Sequence, residues 1–182
     1  MNMQEKQSVM RPLDIVILLK KLCPEGYGMN GKQVAESLSI SAAEVSIAMD
    51  RNRIAGLVDQ RKSRINTLAL KEFLVYGIRY CFPAGIGKLE RGIPTASSAS
   101  PISSKIASGT ESYVWKDSSG TVRGQSITPL YDKAPLAARK DKDMYALLVI
   151  VDSFRIGKAR ERQVASEELD KYLERYAEHK QQ

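Results

Sequence analysis

The stretch Lys32-Gln-Val-Ala-Glu-Ser-Leu-Ser-Ile-Ser-Ala-Ala-Glu-Val-Ser-Ile-Ala-Met-Asp-Arg51 constrains the fold more than any other part of the chain. Val34, Ala35 and Leu38 recur at i, i+1 and i+4, which buries one stripe of a short helix. Ala35 is small at a point where a second helix must cross closely. Ser39-Ile40-Ser41 is too short for a free loop and predicts a tight turn. Ser41 caps a second helix, and Glu44 three residues later completes a capping box. Val45, Ala48, Met49 and Asn52 fall on one side of that helix. Gly56 supplies its C-terminal stop, and Leu57-Val58 begin a strand.

Two helices joined by so short a turn form a helix-turn-helix, whose second helix reads DNA in the major groove. The outward face of the second helix carries Ala43, Ile47, Asp50 and Ile54, flanked by Ser46 and Arg51, with Ser41 and Ala42 at its start. That face is poorer in Arg and Lys than a guanine-reading helix. Ile47 and Ala43 suit thymine methyls, and Ser46 suits a base or a phosphate. Asp50 repels phosphates unless Arg51 or Arg53 offsets it. The competing reading packs Ile47 and Ile54 on another part of the protein.

Asp59-Gln60-Arg61-Lys62-Ser63-Arg64 lies between Leu57-Val58 and Ile65-Asn66-Thr67-Leu68 and predicts a two-stranded wing. Arg61, Lys62, Ser63 and Arg64 at its tip would contact phosphates or the minor groove, which positions a protein without reading sequence. Taken alone, three charges on a turn are an ordinary solvated tip. Charge supports the wing reading. Of the net +7, residues 1–80 hold 12 basic and 8 acidic groups and residues 81–140 hold 8 and 4, whereas residues 141–182 hold 8 and 9. A basic excess on the first two segments fits a nucleic-acid surface there.

Other classes find little support. Met1 to Val9 is polar without an apolar core, which argues against a signal peptide. No apolar run approaches the roughly 20 residues of a membrane span. Cys23 and Cys81 make no disulfide framework and read as small buried hydrophobes, with a redox pair as the alternative. A cytoplasmic protein is expected. No catalytic constellation, metal-ligand spacing or cofactor site is evident, and the single histidine, His179, lies three residues from the C-terminus. The spacing Gly26-x-Gly28-x-x-Gly31 matches a dinucleotide fingerprint, but the strand–helix–strand context it needs is missing, so the glycines are read as turn residues.

Along the rest of the chain, Pro12 suits a first helical position, and Ile15, Leu18, Leu19 and Leu22 give a helix with one apolar face. Leu70 to Tyr80 predicts another helix, ended by Cys81-Phe82-Pro83. Residues 83–110 are rich in Gly, Pro, Ser and Ala and read as a linker or an ordered arm. Tyr113 to Arg123 predicts a β-hairpin turning at Asp117-Ser-Ser-Gly120. Trp115 is either its packing anchor or an exposed partner contact. Asp141 to Arg155 predicts a helix apolar nearly all round, for which a subunit interface offers burial. A final helix shows Val164, Leu169, Tyr172, Leu173 and Tyr176 on one face. The two together suggest a helical hairpin for dimerisation or partner docking through Tyr145, Leu147, Leu148, Val151, Phe154, Leu169, Tyr172 and Leu173. Arg155, Lys158, Arg160 and Arg162 read as a solvated cluster, with a nucleic-acid contact as the alternative.

Residues 12–80 resemble the superfamily of bacterial winged-helix regulators that includes the MarR and ArsR types. Glu72-Phe-Leu-Val-Tyr-Gly-Ile-Arg-Tyr80 with Phe82-Pro83-Ala84, Arg91-Gly-Ile-Pro-Thr-Ala96, Val122-Arg-Gly124 with Leu130-Tyr131, and Val151-Asp-Ser-Phe-Arg-Ile-Gly-Lys-Ala-Arg-Glu-Arg162 look like an uncharacterised bacterial family with a C-terminal extension. The resemblance implies an antitoxin or autorepressor role. The chain departs from the usual pattern at Asn52, where a buried apolar residue is common, and at Ile47, often polar or basic.

The expected fold is therefore mainly α with small β: a winged helix-turn-helix over 11–82, a linker or arm over 83–110, and a β-hairpin plus helical region over 111–182. The expected function is a sequence-specific, non-enzymatic transcriptional regulator that binds double-stranded DNA as a homodimer, without cofactor. The second helix would enter the major groove, with Arg51 and Arg53 on the backbone. The alternative is an antitoxin-like or scaffold protein that binds a toxin or other protein encoded nearby through its C-terminal region.

Overall fold

A computed structural model describes residues 9–106 and 112–181. The fold is mixed α and β, mostly helical with one small three-stranded sheet. It divides into two compact units, Met1–Glu72 with Tyr172–Gln182, and Phe73–Lys171. This division differs from the expected ranges, because the start of the chain and the end of the last helix share a unit. No helix among the described residues is long and apolar enough to cross a membrane.

In the first unit, helix α1 (Pro12–Leu22) starts on Pro12 as expected. Its burial exceeds one face: every residue from Asp14 to Lys20 is buried. Helix α2 (Gly31–Leu38) opens with a capping box between Asn30 and Gln33. Ser39 then takes a left-handed conformation (φ 56°), and Ile40 N–H donates to the Ala35 carbonyl at 2.9 Å. This closes the helix end and produces the tight turn. Helix α3 (Ala42–Ile54) starts with the expected Ser41–Glu44 capping box. Gly56, at φ +74°, ends it in the region where glycine avoids a Cβ clash, and Leu57 N–H returns to the Asn52 carbonyl at 2.9 Å. The strands expected next shrink to one antiparallel bridge, Val58 with Ile65. Helix α4 (Thr67–Glu72) follows.

In the second unit, the helix expected over 70–80 is interrupted. Phe73–Gly77 winds as a π-helix before the short α5 (Ile78–Cys81). The Phe73 ring lies only 3.1 Å from where a Cβ on Gly77 would sit, so the wide turn uses the missing side chain. Cys81 is exposed, contrary to its reading as a buried hydrophobe, whereas Cys23 is buried.

Residues 83–106 are not a linker. They form β1 (Ile86–Pro94) and a 3-10 turn at Ala96–Ser98, and Thr95, Ala96, Ala99 and Ile102 are buried. Residues 107–110 of the expected linker lie outside the described residues. The expected hairpin is also corrected. β1 pairs antiparallel with both β2 (Tyr113–Lys116) and β3 (Val122–Ile127), while β2 and β3 run parallel through Tyr113–Gln125 and Val114–Ser126. The three strands close on themselves. Close backbone crossing makes this possible. A Cβ on Gly92 would fall 2.0 Å from the Trp115 carbonyl oxygen, and one on Gly120 would fall 2.3 Å from the Gly92 backbone.

Helix α6 (Ala134–Lys140) leads to α7 (Lys142–Ile156), which Asp141 caps through the N–H groups of Asp143 and Met144. The apolar α7 packs against α6, the Ala96–Ser98 turn and α5. Leu147, Leu148, Val151 and Phe154 are thus enclosed by their own chain. Each such side chain contributes about 1.5–3 kcal/mol on burial. Tyr145 is half-buried and its hydroxyl donates to the Pro94 carbonyl at 2.6 Å. In the final helix α8 (Ala159–His179), Leu169, Tyr172 and Leu173 are buried too. For the seven buried residues the reading as a dimer or partner face is corrected accordingly, because the surface they would offer is already covered within one chain, whereas Tyr145 is only half-buried.

Two further core residues meet at Asp152. Trp115 is buried and its indole N–H donates to Asp152 at 2.7 Å, which settles it as an anchor. Arg155, read above as part of a solvated cluster, is buried against Asp152 and the carbonyls of Phe82 and Thr128. Lys158 and Arg160 are exposed.

Candidate nucleic-acid interface

Helix α3 buries Val45, Ala48, Met49 and Asn52, and leaves Ala42, Ala43, Ser46 and Ile47 exposed. Ile47 keeps 44% of its surface and Ile54 keeps 56%, so neither packs away on the rest of the chain. The outward face is small, mildly apolar and open.

Arg51 does not belong to that face. Its Nε donates to Asp14 Oδ2 at 2.7 Å, its Nη2 pairs with the other carboxylate oxygen, and both side chains are buried. The expectation of a backbone contact from Arg51 is corrected, since its charge is already spent on Asp14. The carboxylate's hydrogen bonds hold the guanidinium pKa above its ordinary value. Asn52 explains its own departure from pattern. Its amide donates to the Asp14 carbonyl at 2.9 Å and ties α3 to α1, where an apolar side chain would leave that bond unmade.

Asp50 is the carboxylate that would repel phosphate. Lys62 reaches it at 2.7 Å and Arg53 at 3.6 Å. The Lys62 hydrogen bond, above all, holds the Asp50 pKa below the ordinary carboxylate value. The neutralising partners are thus Lys62, from the turn over 59–64, and Arg53, not Arg51. Lys62 is correspondingly committed to the helix rather than projecting from the wing tip. It adopts φ 55° inside the turn, where its N–H donates to the Asp59 carbonyl at 2.9 Å.

The turn is organised by Asp59. Its carboxylate accepts from Ser63 N–H at 2.6 Å, Ser63 Oγ at 2.7 Å and Arg64 N–H at 3.1 Å. These bonds, with that from Arg64 first, depress its pKa. The Ser63 hydroxyl is therefore occupied within the turn, as the Ser41 hydroxyl is occupied by Glu44 at the start of α3. Arg61 and Arg64 remain exposed. Arg53 is half-exposed and also meets Gln60 at 3.4 Å.

The C-terminal turns of α8 hold the other side of the turn, which nothing in the local sequence signals. Tyr176 Oη accepts from Ile65 N–H at 3.0 Å, and Arg64 Nη2 donates to the Lys180 carbonyl at 3.3 Å. Tyr27 meets Tyr176 edge-on at 5.9 Å and stacks on His179 at 4.6 Å. A side chain 111 residues away thus fixes the Ile65 side of the turn. Among the described residues, no group of three His, Cys, Asp or Glu side chains could hold a metal ion.

No family model, curated protein or solved structure matches the chain.

Proposed function

We propose that this chain is a sequence-specific DNA-binding regulator built on a winged helix-turn-helix. Helix α3 would lie in the major groove, with Ala42, Ala43, Ser46 and Ile47 toward the bases. Arg53, Arg61 and Arg64 would meet the phosphates on either side. The observation that carries this reading is the open face of α3 beside a neutralised Asp50: an exposed Ile47 next to a carboxylate held by Lys62 and Arg53. Apolar contact suits thymine methyls, and the wing cations supply the sequence-independent affinity that α3 lacks. On a two-fold operator the chain would act as a homodimer.

Selection of bound duplexes from a random pool tests the reading. Enrichment of one sequence family is the expected result, with affinity falling steeply as salt rises. Weak binding without enrichment would shift weight to a partner-binding protein. That second reading is favoured by Tyr76, Tyr80, Ile86 and Leu89, large apolar side chains left exposed in the second unit. Sedimentation with and without the selected duplex reads the homodimer.

A further inference from the structure

A cavity of about 470 Å³ opens within the first unit, between the loop before α2, the inner edge of α3, the wing turn and the end of α8. Its size falls in the range of small-molecule sites. Among the described residues that line it, four are lysines, Lys21, Lys32, Lys62 and Lys180, and none is acidic. Gathering like charges around one cavity is unfavourable unless an anion joins them. The Lys21 ammonium is partly buried and donates to the neutral Met29 carbonyl at 3.1 Å, and burial, then the charge of Lys180, holds its pKa below the ordinary lysine value. Lys62 has Asp50, outside the cavity lining.

The remaining lining adds to this. Ser46 contributes a hydroxyl from the exposed side of α3. Val45 and Met49 give the cavity an apolar wall, so it suits a ligand with a carbon body as well as charge. Gly28 and Gly31, two of the three glycines in the Gly26-x-Gly28-x-x-Gly31 spacing, also line it. Among the described residues a helix, not a strand, precedes them, so the strand–helix–strand context of a dinucleotide site is missing. They bring backbone close to the cavity in a loop that opens a helix.

We propose that this cavity binds a small phosphorylated anion, with Lys21, Lys32 and Lys180 as its charge partners and Ser46 as a hydrogen-bonding group. Because Ala42 and Ser46, which line the cavity, also belong to the proposed DNA face, the bound anion competes with duplex there. This competition rests on the DNA-binding reading, whereas the anion site rests on the lysines alone.

Inorganic pyrophosphate is the probe, titrated calorimetrically into the full-length chain without DNA. Saturable binding of one pyrophosphate per chain is expected. Lys180→Gln and Lys32→Gln, both near or at the surface, should each weaken it about ten-fold, the loss of one charge-assisted contact. Lys21→Met should weaken it at least as much, with circular dichroism checking its fold. Arg61→Ala, outside the cavity, should leave it unchanged. Absence of saturable binding overturns the proposal, as does equal weakening by Arg61→Ala, which would mean diffuse attraction to a basic surface. Loss of duplex affinity in the lysine variants with no pyrophosphate binding by the wild type also overturns it, and assigns the lysines to DNA backbone phosphates. If the wild type binds pyrophosphate and no duplex, the DNA reading fails and the anion site stands.

Discussion

Arg51 and Asp14, 37 positions apart, form a buried ion pair in which the guanidinium Nε lies 2.7 Å from the carboxylate. The pair locks α3 to α1 from its buried side. Removing one partner strands the other charge in the core. Arg51→Ala or Asp14→Ala should therefore destabilise the first unit by about 3–5 kcal/mol. Joint replacement by Asp14→Leu with Arg51→Met should recover most of that loss. Urea denaturation of the three variants checks this, and a double variant no better than the singles would argue against pairing as the cause.

On the proposed DNA-binding reading, the cations of the 59–64 turn should govern affinity more than specificity. Arg61→Ala with Arg64→Ala is expected to weaken all duplexes by a similar factor and to lower the salt slope by about one to two. Fluorescence anisotropy across a salt series measures both quantities. An unchanged slope would remove the turn from the interface.

Asp50 predicts the opposite sign. Asp50→Asn removes a negative charge from the outward face and releases Lys62 and Arg53, which now hold it at 2.7 and 3.6 Å. Duplex affinity should rise, and the salt slope should steepen by about one for each freed cation that reaches a phosphate. The same titrations read this. Weaker binding would mean that Asp50 holds the wing in place and that the staple matters more than the charge.

What could be read in the sequence was local. The Ser41–Glu44 box, the turn at Ser39, the Gly56 stop and the helix starting on Pro12 each depend on residues a few positions apart, and all are present. The misreadings involve distant partners. Arg51 looked like a flank of the outward face because Asp14 lies 37 residues earlier, and Arg155 looked solvated because its carbonyl acceptors at Phe82 and Thr128 lie 73 and 27 residues back. β1 went unseen because it is mostly exposed and held by its main chain, so it lacks the alternation that marks a half-buried strand. The apolar α7 was correctly read as needing cover. Periodicity could not say that the cover comes from the same chain rather than from a second copy.

Asp152 organises the second unit through Thr95 Oγ1 at 2.9 Å, Trp115 Nε1 at 2.7 Å and Arg155 at 2.7 Å. Asp152→Ala leaves three buried donors unmatched and should cost about 3–5 kcal/mol. Asp152→Asn keeps an acceptor and should be milder. Trp115 is the chain's one tryptophan, so its fluorescence reports on this site alone. A red shift is expected for the alanine variant, and emission equal to wild type would show that the indole bond contributes nothing.

Lys21 gives a pH signature. Burial, and then the charge of Lys180, holds its pKa below the ordinary lysine value of 10.5. The folded chain thus disfavours the ammonium more than the unfolded chain does. This penalty is fully present below the folded-state pKa. Wild type sheds it as pH rises through that value, while the unfolded chain keeps its proton until about 10.5. Lys21→Met never carries the penalty. Relative to the variant, wild-type stability should stay constant below the lowered folded-state pKa and then rise between that value and 10.5. Urea denaturation of both proteins in parallel removes the shared titration of other groups. A difference that does not change with pH would show that the Lys21 charge is not strained in the fold.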